Sequence, residues 1–412
     1  MDTLKVRDAN DVLQAVQAAL AAEQPLEIIG HGTKRGIGQP MATNAVLDLS
    51  ALSAVVDYEP SELILTVEAG APLADVQSLI DARGQEFAFE PMDTAVLLGT
   101  APGTGTVGGM VGAGLAGPRR IRAGGARDHL LGAAAVSGFG EAFKAGGKVV
   151  KNVTGYDLCK LIAGSFGTLA VVTELTFKVM PKAESETTLV LRGLDDTAAN
   201  RAMTAALGSP FDVSGAAHLP SAALQSAGAV LGGLAANGQG VTLLRLEGIA
   251  ASVAHRVGSL SKLVAAFGAV ETVMEAASRA LWAAVRDVTP FAAVGAHDSR
   301  PVWRIVCPPA SGGALGQALA AQTGGKAFYD WGGGLIWLAT PPSADAHAGV
   351  VRAQTEAAGG HATLLRADEA VRRAVAVFHP QAAGVAALSR RVRQSFDPKL
   401  IFNRNRMAED AG

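Results

Sequence analysis

Hydrophobic positions in the first half of the chain switch repeatedly between helical and strand spacing. Over residues 8–20, Val12, Leu13, Val16 and Leu20 fall on one helix face, with Asp8 or Asn10 placed to cap it. Short apolar runs at 25–30, 45–50, 54–59 and 63–70 predict four strands. A helix follows over 72–84, opened by Pro72 and closed by Gly84. Residues 129–141 predict a strand and turn. Residues 151–181 predict a loop, a short helix, a glycine turn and a strand that Pro181 closes.

Beyond about residue 183 the order becomes regular. Strand patterns at 187–194, 213–220, 241–248 and 269–276 interleave with helical patterns at 196–207 and 251–268. This is the β-α-β-β-α-β order of a split βαβ, ferredoxin-like unit. The order recurs from 301 to 367, after a linking stretch at 277–300 that is helical in part. The expected class is α+β, with the second half a duplicated unit whose repeat rests on element order alone. A basic amphipathic helix and a tail end the chain over 386–407.

Composition narrows the function classes. A chain of 412 residues is long enough for two or three domains, and 49% hydrophobic with 17% charged residues reads as globular. A net charge of −2 supplies no basic field for nucleic acid and no polybasic membrane anchor. The N-terminus lacks the apolar core of a signal segment. No run approaches the ~18 apolar residues of a spanning helix, so a cytoplasmic protein is expected. Two cysteines, Cys159 and Cys307, exclude a disulfide framework, a four-thiolate iron–sulfur cluster and a zinc finger. Any redox chemistry here needs a bound organic cofactor.

The most unusual stretch runs from Gly99 to Gly125. Gly103, Gly105 and Gly108 match the dinucleotide fingerprint, and Asp128 stands about 20 residues on. No strand feeds that turn, however, and each interior glycine costs a following helix about 1 kcal/mol relative to alanine, so no stable phosphate-facing helix is expected. No phosphate-loop G-x-x-x-x-G-K-[ST] is present either. A linker would be polar, whereas Val107, Met110, Val111 and Leu115 imply a buried path. Consecutive backbone N–H groups in such a loop form an anion-binding nest, and a second glycine loop, GHGTKRGIG at 30–38, lies about 70 residues upstream. Two nests suit a buried pyrophosphate.

With those loops, RAGGARDHLLG (122–132) and GSFGTLAVVTE (164–174), the chain resembles the vanillyl-alcohol-oxidase-type flavoproteins, whose FAD domain is of the PCMH type. PVWRIVCPP, DWGGGLIWL and FHP…FDPKLIFN are similar to signatures of one group among them, the FAD-binding subunits of bacterial glycolate oxidases. The resemblance covers nearly the whole chain. It implies a two-lobed FAD domain at 1–182, a duplicated ferredoxin-like cap on the substrate side at 183–380, and a C-terminal helix and tail at 381–412 that return to the FAD domain. Carried over residue by residue, it places Gly30, His31, Gly32, Thr33 and Lys34 on the pyrophosphate loop. Thr104, Thr106, Val107, Gly108, Gly109 and Ala113 fall along the diphosphate and flavin edge, and Arg122, Gly124, Gly167 and Val171 near the cofactor. Some relatives attach flavin through a histidine at the position held here by Thr33, so the FAD is expected to be noncovalent.

The resemblance further implies oxidation of a small 2-hydroxy acid, glycolate to glyoxylate. The expected partners are a larger flavin subunit and an iron–sulfur subunit, with peripheral membrane association through the complex. The metal-binding H-x-G-D-G-N-x-H of some relatives is absent, so no metal is expected, and no catalytic base is assigned. Proton abstraction needs a base, and the substrate carboxylate an arginine. His297, Arg304, His361 and His379 are the isolated candidates, each also readable as structural. A flavin-bearing relay without its own substrate site is the alternative. Tyr329, Trp331 and Trp337 fit either stacking on a flavin or a partner, or core packing. Tyr156 and Asp157 either face the flavin or cap the next helix.

Overall fold

The computed structural model describes residues 2–41, 43, 45–148, 155–234, 238–295 and 298–408. Strands β1 (Asp2–Lys5), β2 (Leu26–Ile29) and β3 (Ala45–Asp48) form a parallel sheet in the order β1-β3-β2. The helix Ala9–Ala21 packs on it, capped by the Asp8 carboxylate, which accepts from the Asp11 amide. Its Val12, Val16 and Ala19 meet Leu26, Leu47 and Leu49 in one apolar cluster. The charged segment at 2–5 is thus an edge strand, with all four residues exposed.

A second lobe is built on β4 (Val55–Glu59), β5 (Ile64–Glu68), β6 (Gln85–Glu86), β7 (Leu130–Ser137), β8 (Ala142–Gly146), β9 (Ala170–Lys178) and β10 (Met180–Pro181). Five of these form an antiparallel sheet, β4-β5-β9-β7-β8, and β6 pairs with β10. The helix Leu73–Asp81 covers the sheet with Leu73, Val76 and Ile80.

The glycine-rich segment departs from expectation: Val107–Ala113 is a short helix, capped by Thr106, whose Oγ1 accepts from the Gly109 amide at 3.2 Å. Tertiary contact outweighs the local glycine cost. Val107, Met110 and Val111 are buried in the core of the second lobe, and Gly108 lies so near Ala69 that a Cβ would stand 2.8 Å from its carbonyl oxygen. Gly114, at φ +62°, ends the helix in the left-handed conformation.

The second half forms one eight-stranded antiparallel sheet. Its strands are β11 (Ser185–Arg192), β12 (Gly215–Leu219), β13 (Val241–Gly248), β14 (Val270–Met274), β15 (Val302–Val306), β16 (Lys326–Asp330), β17 (Leu335–Ala339) and β18 (His361–Arg366). The order is β14-β11-β13-β12-β16-β17-β15-β18, and the two groups of four meet at His218 opposite Tyr329. Helices Asp196–Leu207, Ala250–Val264, Gly312–Thr323 and Ala348–Ala357 pack on one face. The other face carries Val302, Phe328, Trp331 and Trp337, and packs against Ile37, Met92 and Leu97 of the first half. The helix Ala383–Phe396 has no buried residue. The tail then returns to the first lobe, where Leu26 exchanges backbone hydrogen bonds with Ile401 and Asn403. Among the described residues, no helix is long and apolar enough to cross a membrane.

Candidate cofactor and substrate site

The two N-terminal lobes face each other across a cleft that is partly open to solvent. Ten predicted residues line it: Gly30, His31, Gly32, Thr33, Lys34, Thr106, Gly108, Gly109, Ala113 and Gly167. Thr104 stands at its border, where its carbonyl accepts from His31 Nδ1 at 2.8 Å and ties the two glycine segments together. Val107 and Val171 are buried in the cores of the second and first lobes. Arg122 is exposed and pairs with Asp212 at 3.0 Å, and Gly124 sits at φ +79° against Asp128. These last two lie outside the cleft.

The first loop is held open for a ligand. A Cβ on Gly30 would stand 2.4 Å from Thr106 Oγ1, so only glycine lets β2 approach the capped helix. The consecutive amides of His31, Gly32, Thr33 and Lys34 have no hydrogen-bond acceptor among the described residues, which is the arrangement of an anion nest. The second segment is different. Its Val107 and Gly108 amides donate to Ala71 and Ala69, and Gly109 to Thr106. This leaves the amides of Thr104, Gly105 and Thr106 without an acceptor among the described residues and confines a nest there to 104–106.

Two cations complete the anionic preference. Lys34 has no ion pair among the described residues, and burial pushes its pKa down, with Asp93 opposing. Its Nζ lies 3.4 Å from where a Cβ on Gly105 would stand. Arg406 donates to the Lys34 carbonyl at 2.5 Å, while its buried Nε has no partner and burial lowers its pKa to about 10. Arg35, by contrast, is paired with Glu27 at 2.7 Å. Asn403 staples the lobes, its Oδ1 accepting from the Ile28 amide at 2.8 Å and its Nδ2 donating to the Phe166 carbonyl at 2.7 Å. Sequence reasoning missed Asn403 and Arg406; the signal was the run of polar residues between Phe402 and Met407. These residues fit a dinucleotide diphosphate, because they offer free amides and two cations without a carboxylate partner among the described residues, and present no free carboxylate to the nest.

A second constellation lies on the inner face of the eight-stranded sheet. Trp331, at φ +53°, donates from Nε1 to the Gly117 carbonyl at 3.0 Å, and its amide donates to the Asp330 carboxylate at 2.7 Å. The guanidinium carbons of Arg120 and Arg304 lie 4.7 and 5.1 Å from its ring centroid. Register places Arg304 opposite Thr363, and His361 opposite Val306 two pairs along, on the same face of the sheet. The rings of His361 and His379 are 6.5 Å apart. Three of the four isolated candidates therefore converge; His297 lies outside the described residues. His379 is engaged, accepting from the Ala362 amide at 3.2 Å with Glu356 3.4 Å from Nε2.

The remaining candidates resolve simply. Tyr329 donates to Asp196, and Trp337 stacks on Phe328, both within the cores. Asp157 caps the helix Leu158–Ile162, and Tyr156 is exposed. Cys159 and Cys307 are buried, and burial pushes both thiols up to about 11.

Residues 3–146 match the family model described as an FAD binding domain. Over 397 residues the chain is 30% identical to glycolate oxidase subunit GlcE of Escherichia coli (strain K12), covering 96% of each chain. It is 28% identical over 185 residues to glycolate oxidase subunit GlcD of Bacillus subtilis (strain 168), which is 45% of this chain and 38% of that one. Among solved structures, p-cresol methylhydroxylase with substrate bound shares the fold with a TM-score of 0.76 at 14% identity, over 99% of this chain and 88% of that chain. The chain thus carries an FAD-binding domain and belongs to the family of glycolate oxidase subunit GlcE.

Proposed function

We propose that this chain is the FAD-binding subunit of a glycolate-oxidising complex and holds FAD noncovalently in the cleft between its two N-terminal lobes. The observation that carries the reading is Lys34, without an ion pair among the described residues, and the partnerless Nε of Arg406 beside four free amides, in a chain similar to GlcE along nearly its whole length. A diphosphate supplies the missing negative charge and accepts from those amides. In this reading Gly30–Lys34 and Thr106–Gly109 flank the diphosphate, Ala113 and Gly167 line the cleft farther along, and Thr104 and His31 close its border. Val107 and Val171 act through backbone and packing, and Arg122 and Gly124 take no part.

Bound FAD would supply a two-electron acceptor for the carbon–hydrogen bond of a 2-hydroxy acid, glycolate leaving as glyoxylate. Two buried cysteines cannot hold a cluster, so onward transfer falls to an iron–sulfur partner, with a larger flavin subunit in the same complex. We place that complex in the cytoplasm, held at most peripherally to the membrane. The division at about 182 and 380, and the reading of the second half as two fused ferredoxin-like units, are supported by the strand order of the eight-stranded sheet.

Anaerobic addition of glycolate to the purified, FAD-loaded chain tests the proposal. Bleaching of the flavin band by the chain alone is expected. Bleaching only after the larger flavin subunit is added would make this chain a relay, and absence of bleaching in the assembled complex would contradict the proposal.

A further inference from the structure

We propose that the guanidiniums of Arg304 and Arg120, both over the ring of Trp331, bind the carboxylate of a small 2-hydroxy acid whose hydroxyl is received by His361. This inference rests on the flavoprotein reading above, and gives this chain its own substrate site beside the cofactor cleft.

The argument begins with missing partners. Arg119, Arg245, Arg286, Arg366 and Arg372 all reach into the interior, and each donates to a carboxylate or a carbonyl. Arg304 is half-buried and Arg120 exposed, yet neither guanidinium has a hydrogen bond or ion pair among the described residues. Two guanidiniums gathered at one indole repel each other, and burying a cation without a counter-charge is costly. An anion between them is what the arrangement lacks. Planar guanidinium forks match a carboxylate in geometry as well as charge.

The surroundings agree. Burial, and then Arg120, lower the pKa of Arg304 to about 10. Asp330 opposes that fall only in part, because burial raises the acid to about 7, and its carboxyl oxygen accepts from the Trp331 amide rather than from Arg304. The imidazole of His361 makes no hydrogen bond among the described residues, and the burial of its inner part, with Arg304, His379 and Arg120, lowers its pKa. A neutral imidazole that can accept from a hydroxyl results. Trp331 is held in the left-handed region by its bonds to Gly117 and Asp330, a conformation rare for a bulky residue and typical of ligand sites. Phe166, which lines the cofactor cleft, packs in the same apolar layer as Trp331. The exposed Arg120 and His361 leave a way in from solvent.

Calorimetric titration of the FAD-loaded chain with oxalate, an unreactive carboxylate, tests the clamp, with ethylene glycol as the carboxylate-free control. Oxalate should bind saturably and ethylene glycol should not. Arg304→Met and Arg120→Met should each weaken oxalate at least tenfold while leaving FAD content unchanged and thermal stability equal or higher, since an unpaired cation is removed. His361 is tested on the chain with its flavin already reduced, so that glycolate is not consumed. Glycolate should outcompete acetate by about tenfold against oxalate, and His361→Ala should erase that margin. Oxalate binding that is absent, or equal in wild type and both arginine variants, would overturn the clamp, and an unchanged margin would overturn the role of His361. Failure to take up FAD would instead overturn the cofactor reading, and oxalate titration of the cofactor-free chain would still decide the clamp.

Discussion

The guanidinium of Arg245 grips the carboxylate of Glu90 through two hydrogen bonds, 2.7 and 3.1 Å long. Arg245 lies on β13 of the eight-stranded sheet and Glu90 in the N-terminal half, so the pair crosses between them. Arg119 extends the network to Glu247 at 2.6 Å and Glu86 at 2.7 Å. Burial pushes Glu247 up, but Arg245 and Arg119 outweigh it and hold it down at about 2. This network seats the sheet that carries Trp331 and Arg304 against the lobes that form the cleft.

Breaking that pair should be expensive. Glu90→Gln takes from the Arg245 guanidinium, 1% exposed, the carboxylate it grips through two hydrogen bonds. It leaves Glu247 at 3.2 Å, so the loss approaches the full cost of a broken buried pair without reaching it. Losing one partner of a buried pair costs about 3–5 kcal/mol, whereas Asp11→Asn in the exposed pair with Arg7 should change little. Urea unfolding of the two variants is the check, and similar midpoints would show that the network does not seat the sheet.

Gly30→Val should abolish FAD retention, because even the first added carbon collides with Thr106. Gly258→Ala, in the helix Ala250–Val264 with open space around it, should retain FAD and gain up to about 1 kcal/mol of stability. The ratio of flavin to protein absorbance after gel filtration reads the outcome; undiminished flavin in the Gly30 variant would remove the cleft from the account.

Lys34→Met should weaken FAD by about 10- to 100-fold, the worth of a charge-assisted hydrogen bond. The cofactor-free variant should be no less stable than wild type, since the ammonium has no native counter-ion there. Equal FAD affinity in both would mean that the diphosphate lies elsewhere.

Asp330 should leave a mark on pH dependence. Burial raises its folded-state pKa to about 7, while the unfolded chain releases that proton near pH 4. Between these values the folded state binds more protons, so its contribution to stability is full at low pH and declines as pH rises towards 7. Asp330→Asn should flatten that decline. Thermal melts at pH 5 and pH 8 compare the two, and Glu186, also raised to about 7, acts equally in both. Identical pH slopes would contradict a buried, protonated Asp330.

The alternating spacings made most elements legible, and the strand–helix order after residue 183 appears as read. What was not legible depended on distant contacts. The strand at 2–5 has no buried face to create a pattern. The helix at 107–113 exists because Ala69 and Ala71 accept its first amides, which no local propensity encodes. Arg406 and Asn403 matter only because the tail returns across some 370 residues to meet Lys34 and Ile28. Arg304 and His361 looked isolated because the register of β15 with β18 is what brings them near each other.

The most direct test is to titrate the cofactor-free chain with FAD, following flavin fluorescence, and then to precipitate the loaded protein with acid. The account predicts saturation at one FAD per chain, with all flavin released to the supernatant on precipitation. A chain that takes up no FAD, or flavin that stays with the pellet, would contradict it.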